Sequence, residues 1–112
     1  MKNTLLFNGR RIAYFLSEDG WDSPNAPLVL LHGFCEDASM WAPVLPYLSG
    51  LPVLRIDLPG FGASDLAIVP GIEGYAAAVC AVLNELNLPR CVLFGHSMGG
   101  YTALAIAAQH PE

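Results

Sequence analysis

Apolar residues fall in two rhythms along this chain. Short, nearly continuous apolar runs at 28–31 (Leu28-Val29-Leu30-Leu31), 53–56 (Val53-Leu54-Arg55-Ile56) and 91–94 (Cys91-Val92-Leu93-Phe94) are bounded by glycine, proline or polar residues. Runs of that length suit strands covered on both faces. Between the last two, Ile72, Tyr75, Ala76, Val79, Cys80, Leu83 and Leu86 recur at three- and four-residue intervals. That spacing predicts a helix over 72–88, closed by Asn87-Leu88-Pro89. Residues 98–109 are alanine-rich, with leucine and isoleucine, and predict a helix packed closely on a sheet. A further helix is expected over 38–48, with Pro43 near its first turn. At the start, 4–7 and 11–17 read as strands joined by a turn at Asn8-Gly9, an antiparallel hairpin. Lys2, Asn3, Arg10 and Arg11 keep that hairpin polar, as an edge requires. Residues 18–27 are rich in Asp, Gly, Ser, Asn and Pro and read as a loop.

The order is a hairpin followed by strand, helix, strand, helix, strand, helix. This alternation predicts an α/β fold: a mostly parallel sheet with helices on both faces and an N-terminal antiparallel hairpin. Glycine-containing stretches at 32–34, 57–62 and 95–100 each follow a strand. They should gather at the carboxyl edge of the sheet, where such folds bind ligands.

Gly95-His96-Ser97-Met98-Gly99 has the G-x-S-x-G pattern of a nucleophile elbow, set between a predicted strand and a predicted helix. A serine alcohol is a weak nucleophile and must be presented to a base and a substrate carbonyl together. A sharp strand-to-helix turn lifts Ser97 clear of the sheet, and glycines at 95 and 99 remove side chains that would collide there. Gly100 extends the same clearance in this reading. The following helix directs free N–H groups toward the site, which makes the N–H of Met98 a candidate oxyanion donor. No lysine lies in the stretch, so it is not a phosphate-binding P-loop.

Composition narrows the partners. The chain has 112 residues, enough for one domain. It is 54% hydrophobic and 13% charged, with a mean hydropathy of +0.44. That is apolar for so small a domain and suggests surfaces that something else covers. Five basic and ten acidic residues give a net charge of −5 with no basic cluster, so nucleic acid and anionic membrane are poor partners. Cys35, Cys80 and Cys91 form no C-x-x-C pair, so neither a disulfide framework nor a metal site is expected. Reduced thiols fit a cytoplasmic protein. The apolar run near Met1 is too short for a signal peptide, and no segment approaches the ~18 apolar residues of a membrane span.

Three ordered motifs resemble the α/β-hydrolase superfamily: His32-Gly33-Phe34, then Asp57-Leu58-Pro59-Gly60-Phe61-Gly62-Ala63-Ser64, then Gly95-His96-Ser97-Met98-Gly99-Gly100. The match covers nearly the whole chain, and it looks most similar to single-domain, cofactor-free esterases, enol-lactonases and carbon–carbon bond hydrolases. The resemblance implies that Ser97 is the nucleophile and that the N–H groups of Phe34 and Met98 form the oxyanion hole. It gives His32, Gly33, Gly95, Gly99 and Gly100 supporting roles. Serine at 97 argues against the dehalogenase and epoxide hydrolase branches, which place aspartate there. The family's triad runs Ser, then Asp or Glu, then His, yet this sequence reaches His110-Pro111-Glu112 only one helix past the serine. Residues 1–112 are therefore read as the amino-terminal portion of a single α/β-hydrolase domain, with the triad acid and histidine outside the chain.

The histidines present do not replace them. His32 belongs to its turn, His96 neighbours Ser97 and points elsewhere, and His110 lies roughly 18 Å away at a helical rise of about 1.5 Å per residue. Asp57 either reaches the site or braces the Pro59-Gly60 turn, and bracing is the expectation. Phe61 is a candidate for the border of the site entrance, with ordinary packing as the alternative. Trp41, like Phe34, either lines an acyl pocket or, as expected for Trp41, packs its helix on the sheet. Cys35 is expected to pack rather than react. Glu36 and Asp37 resemble a paired-carboxylate site but are expected to be solvated acids at a helix start. The side chain of Met98 is packing or pocket wall.

Two functions follow. One is a serine hydrolase acting on a small-molecule ester, lactone or related carbonyl, nearly inactive as this chain alone. The other is a non-catalytic half-domain. In the family's strand order 91–95 lies beside 28–32, and its far side is an open edge that a complementary C-terminal fragment or a second copy would cover.

Overall fold

A computed structural model describes residues 2–22, 25–66 and 71–109. Strands β1 (Lys2–Phe7) and β2 (Arg10–Leu16) form the antiparallel hairpin, with Asn8 and Gly9 both at positive φ, 52° and 77°. Two such residues make the turn whose twist matches that of paired strands. Strands β3 (Leu28–Leu31), β4 (Val53–Ile56) and β5 (Val92–Gly95) complete a five-stranded sheet in the order β1-β2-β4-β3-β5. β4 pairs antiparallel with β2, whereas β3 runs parallel to both β4 and β5. The fold class is the expected one.

Register decides where the chemistry sits. Leu31 lies opposite Ile56 on one side and Gly95 on the other. His32, Asp57 and His96 therefore leave the sheet at one level, and all three glycine-containing stretches meet at its carboxyl edge.

Helix α1 (Gly71–Glu85) packs against α2 (Met98–Gln109), and α1 touches β1 and β2 while α2 touches β3 and β5. Val29, Leu31, Leu54, Ile56, Leu58, Val79 and Val82 are fully buried between sheet and helices. Each such side chain stabilises the fold by about 1.5–3 kcal/mol relative to leaving it in water. α1 stops short of the predicted 88 because Asn87 turns left-handed, at φ 55°. The N–H of Leu88 then reaches back to the carbonyl of Leu83 (2.9 Å), and that of Asn87 to Asn84 (3.2 Å). This is the hydrogen-bond pattern that ends a helix by reversing the chain.

The segment Ala38–Leu48 winds as a 3₁₀ helix rather than an α-helix, and touches β3 and β4. Pro43 and Pro46 lie inside it and have no N–H to give an α-helical ladder. Asp37 caps its start, accepting the N–H of Ser39 at 2.9 Å. The Ser39 hydroxyl and N–H hold the Asp37 carboxyl below its ordinary range. No helix among the described residues is long and apolar enough to cross a membrane.

Asp57 is the polar knot of the sheet edge. It is 3% exposed; Oδ1 accepts the N–H of Ala38 (2.8 Å) and Oδ2 that of Ala63 (2.9 Å). Bracing is thus its geometry, though it holds the amides of Ala38 and Ala63 rather than the Pro59-Gly60 turn expected. Asp57→Ala leaves both amides without their acceptor and should cost about 3 kcal/mol, with Asp57→Asn costing less, as read by urea unfolding.

Candidate active site

His96 and Ser97 form the turn between a strand and a helix. β5 ends at Gly95 and α2 begins at Met98. The N–H of His96 donates to the carbonyl of Leu31 (3.0 Å), extending the β3–β5 ladder by one residue. The next residue, Ser97, has φ 55°. A left-handed serine costs about 1–2 kcal/mol, and the surrounding structure must hold it there. Its carbonyl accepts the N–H groups of Gly100 (2.8 Å) and Tyr101 (3.2 Å), while Gly99 N–H donates to His96 (2.9 Å). Ser97 itself is exposed.

Close backbone approach explains two of the glycines. A methyl group on Gly95 would collide with the backbone of Gly99 and Gly100, and one on Gly99 with the carbonyls of Leu31 and His32. Gly100 is different. A methyl group there would sit 3.5 Å from the Gly95 carbonyl oxygen, an ordinary contact, so the clearance comes from 95 and 99 without it.

The second turn is built from His32 and the four residues after it. His32 is fully buried. Its Nε2 accepts the N–H of Leu58 (2.8 Å), so Nδ1 carries the proton and donates to the Gly33 carbonyl (2.8 Å). The imidazole ties the turn after β3 to the loop after β4. Glu36 N–H donates to the Gly33 carbonyl (3.3 Å), closing a turn with Cys35 left-handed at φ 60°. Cys35 is exposed, not packed as expected, because the turn points its side chain outward. Phe34 is 69% exposed. Among the described residues, neither the N–H of Phe34 nor that of Met98 has a hydrogen-bond partner, and Ser97 Oγ has none either.

Glu36 does more than the sequence suggested. Its Oε1 accepts the N–H of Gly33 (3.0 Å) and lies 3.1 Å from Nδ1 of His96. It is therefore bound across the site rather than solvated at a helix start. Nothing in the local pattern showed this, since the partner lies 60 residues away. Asp37, by contrast, is the helix-start acid expected.

Phe61 stacks edge-on between Phe34 (5.8 Å), His32 (5.5 Å) and Tyr75 (6.3 Å), beside the exposed turn. Trp41 is half-buried on the 3₁₀ helix, and its Nε1 has no hydrogen-bond partner among the described residues. On the other side of Ser97, a groove of about 950 Å³ runs between the free edge of β5 and the outer faces of the helices; Ser97, Cys80, Cys91, Leu93, Tyr101 and Leu104 are among its walls, whereas Phe61 and Trp41 are not. Burial pushes the Cys80 and Cys91 thiols up, and Cys80 adds to the shift at Cys91. His110 lies outside the described residues. Among the described residues no cluster of three His, Cys, Asp or Glu is placed to hold a metal ion.

Residues 26–112 match the sequence profile of the alpha/beta hydrolase fold family. The chain belongs to that family. It is similar to the sn-1-specific diacylglycerol lipase ABHD11 of Xenopus tropicalis, at 38% identity over 102 residues, covering 87% of this chain and 32% of that protein. It is also similar to 2-succinyl-6-hydroxy-2,4-cyclohexadiene-1-carboxylate synthase of Enterobacter sp. (strain 638), at 38% identity over 84 residues, covering 75% of this chain and 33% of that protein. Among solved structures, the enol-lactonase from Burkholderia xenovorans LB400 superposes with a TM-score of 0.83 at 35% identity, over 97% of this chain and 42% of the other. The N-acyl homoserine lactonase AidH, complexed with N-butanoyl homoserine, gives a TM-score of 0.86 at 35% identity, over 100% of this chain and 42% of that one. This chain thus spans about a third of the length of these curated relatives.

The contrast between adjacent glycines is directly testable. Gly99→Ala must displace backbone and should destabilise the fold by roughly 1–3 kcal/mol. Gly100→Ala should be neutral or stabilising by up to about 1 kcal/mol, because alanine is the better helix former. Thermal melts of the two variants against the parent chain check both.

Proposed function

We propose that this chain carries the nucleophilic half of a serine hydrolase acting on a small-molecule ester, lactone or related carbonyl. The observation that carries the reading is the left-handed Ser97 at the strand-to-helix turn, exposed and without a hydrogen-bond partner among the described residues. Ser97 Oγ attacks the carbonyl carbon and its proton passes to a general base. The carbonyl oxygen, now negative, is received by the N–H groups of Phe34 and Met98. Collapse of the intermediate expels the alcohol, and water then releases the acyl group from Ser97. An oxyanion donor of this kind is worth about 2.7–4 kcal/mol of barrier. Relatives whose names describe a lipase and lactonases support the substrate class.

The base and acid of this mechanism are supplied from outside residues 1–112, which form the amino-terminal portion of a single α/β-hydrolase domain. Both nitrogens of His32 and both carboxylate oxygens of Asp57 are occupied by hydrogen bonds within the fold. His96 is turned toward Glu36 through Nδ1. The reaction as written needs no cofactor or metal. Three free thiols support a reducing, cytoplasmic setting.

A second reading has its own support. β5 pairs only with β3 among the described strands, and Val92, Phe94, Tyr101 and Leu104 around it are 44%, 50%, 67% and 68% exposed. An apolar strand edge of this kind invites a complementary polypeptide or a second copy.

Assay of p-nitrophenyl acetate hydrolysis by the 112-residue chain tests the first reading. Only a slow rate is expected, since a site without its base and acid retains about 10³–10⁴-fold over water, from its oxyanion hole and binding alone. Turnover at full enzyme rates would contradict a base outside the chain. Light scattering tests the second: a partner or a dimer is expected, and a monodisperse monomer with a cooperative melt counts against it.

A further inference from the structure

One carboxylate oxygen joins the two turns of the site. Glu36 Oε1 accepts the N–H of Gly33, the residue before Phe34, and meets Nδ1 of His96, the residue before Ser97. Gly33 is held from both sides, because its carbonyl accepts the N–H of Glu36 in return. The junction is closely packed. A methyl group on Gly33 would collide with both Glu36 Oε1 and His96 Nδ1. Behind Glu36 the chain is fixed as well. Asp37 caps the 3₁₀ helix through Ser39, and Ala38 is pinned by its N–H to Asp57 and its carbonyl to Arg55 Nη1 (3.3 Å). The carboxylate therefore reaches across from an anchored base.

We infer that Glu36 is a positioning residue, which sets the distance and angle between the Phe34 and Met98 N–H groups by clamping Gly33 to His96. The inference rests on the serine-hydrolase reading and names the device that assembles its oxyanion site. Hydrogen bonding across half-exposed groups contributes little to global stability. Its effect is local. Without the carboxylate the Phe34 turn keeps its bonds to the Gly33 carbonyl but has no tie to the Ser97 turn, whereas Met98 is fixed by α2, so loss of the clamp shifts one donor and leaves the other in place. Misplacement of one reacting partner by about 1 Å is enough to lower rates by orders of magnitude.

Phenylboronic acid is the probe, since it needs no general base to report on the site. Ser97 Oγ adds to the trigonal boron, its proton leaves to solvent, and the boron becomes a tetrahedral anion carrying two hydroxyls and the serine oxygen. Titration of the 112-residue chain, followed by ¹¹B and backbone amide NMR, should show a tetrahedral boron signal that Ser97→Ala removes, with downfield shifts at both Phe34 and Met98 N–H. In Glu36→Ala the Phe34 shift should be lost, the Met98 shift retained, and the dissociation constant raised about tenfold. Glu36→Gln, which keeps an acceptor oxygen, should restore most of the affinity. His96→Ala, an exposed substitution, should act like Glu36→Ala and serves where that variant does not fold. Parent-like affinity and both shifts in Glu36→Ala or His96→Ala overturn the clamp while leaving Ser97 as nucleophile. Equal loss of both shifts, marking general loosening, overturns it too. Absence of any Ser97-dependent adduct in the parent chain overturns the hydrolase reading itself, and the clamp with it.

Discussion

Gly99 lies directly against the carbonyls of Leu31 and His32, backbone on backbone. Around that contact α2 docks on the end of β3, and Gly95 must in turn leave room for the backbone of Gly99 and Gly100. A chain leaving β5 and entering α2 within two residues has little choice of path. The turn is completed only with Ser97 in the left-handed region. The strain is offset by the hydrogen bonds on either side of it: the extra rung from His96 to Leu31, and the two helical N–H groups that end on the Ser97 carbonyl. An unstrained serine here would lie within a helix or a strand, and its hydroxyl would not stand clear of the backbone.

The rest of the carboxyl edge is stiffened by polar groups that would be costly to bury unpaired. His32 and Asp57 have almost no contact with solvent, yet each has its polar atoms engaged by backbone groups of neighbouring loops. They bind the turns after β3 and β4 to each other and to the 3₁₀ helix. Such groups specify one loop arrangement, because any other leaves a buried acceptor or donor unmet. The opposite side of the molecule is built differently. β2, β3, β4 and α1 share the deep core with Ile106 of α2, whereas β5 and the outer surface of α2 leave large apolar side chains open. Ser97 thus sits at the border between the well-packed part of the fold and its uncovered edge.

Much of this was legible from the residues. Continuous apolar runs marked β3 and β4, Asn8-Gly9 marked the hairpin, and the alanine-rich stretch gave α2 at 98–109. Motifs that each follow a strand end were expected at one edge, and the register places them there. What failed had local or distant causes that composition does not carry. A helix was expected over 38–48 with Pro43 near its first turn, but Pro43 and Pro46 both lie inside it and remove donors that an α-helical ladder needs. Cys35 was assigned to packing on residue type, while the turn's left-handed geometry sends it to solvent. Gly100 looked like part of a glycine requirement that in fact ends at Gly99. Glu36 was unreadable as a cross-site ligand, because its partner His96 is brought near only by the pairing of β3 with β5. A glutamate near one turn and a histidine beside the serine were the only available signals, and neither pointed to the other.

The central claim is that the fold presents one serine alcohol, and only that one, as a nucleophile. Reaction with a fluorophosphonate, followed by peptide mass spectrometry, tests this directly. A single phosphonyl group on the peptide carrying Ser97, formed slowly in a chain without its base and absent from Ser97→Ala, is the expected result. Modification spread over Ser17, Ser39, Ser49 or Ser64, or labelling that persists in Ser97→Ala, would contradict it.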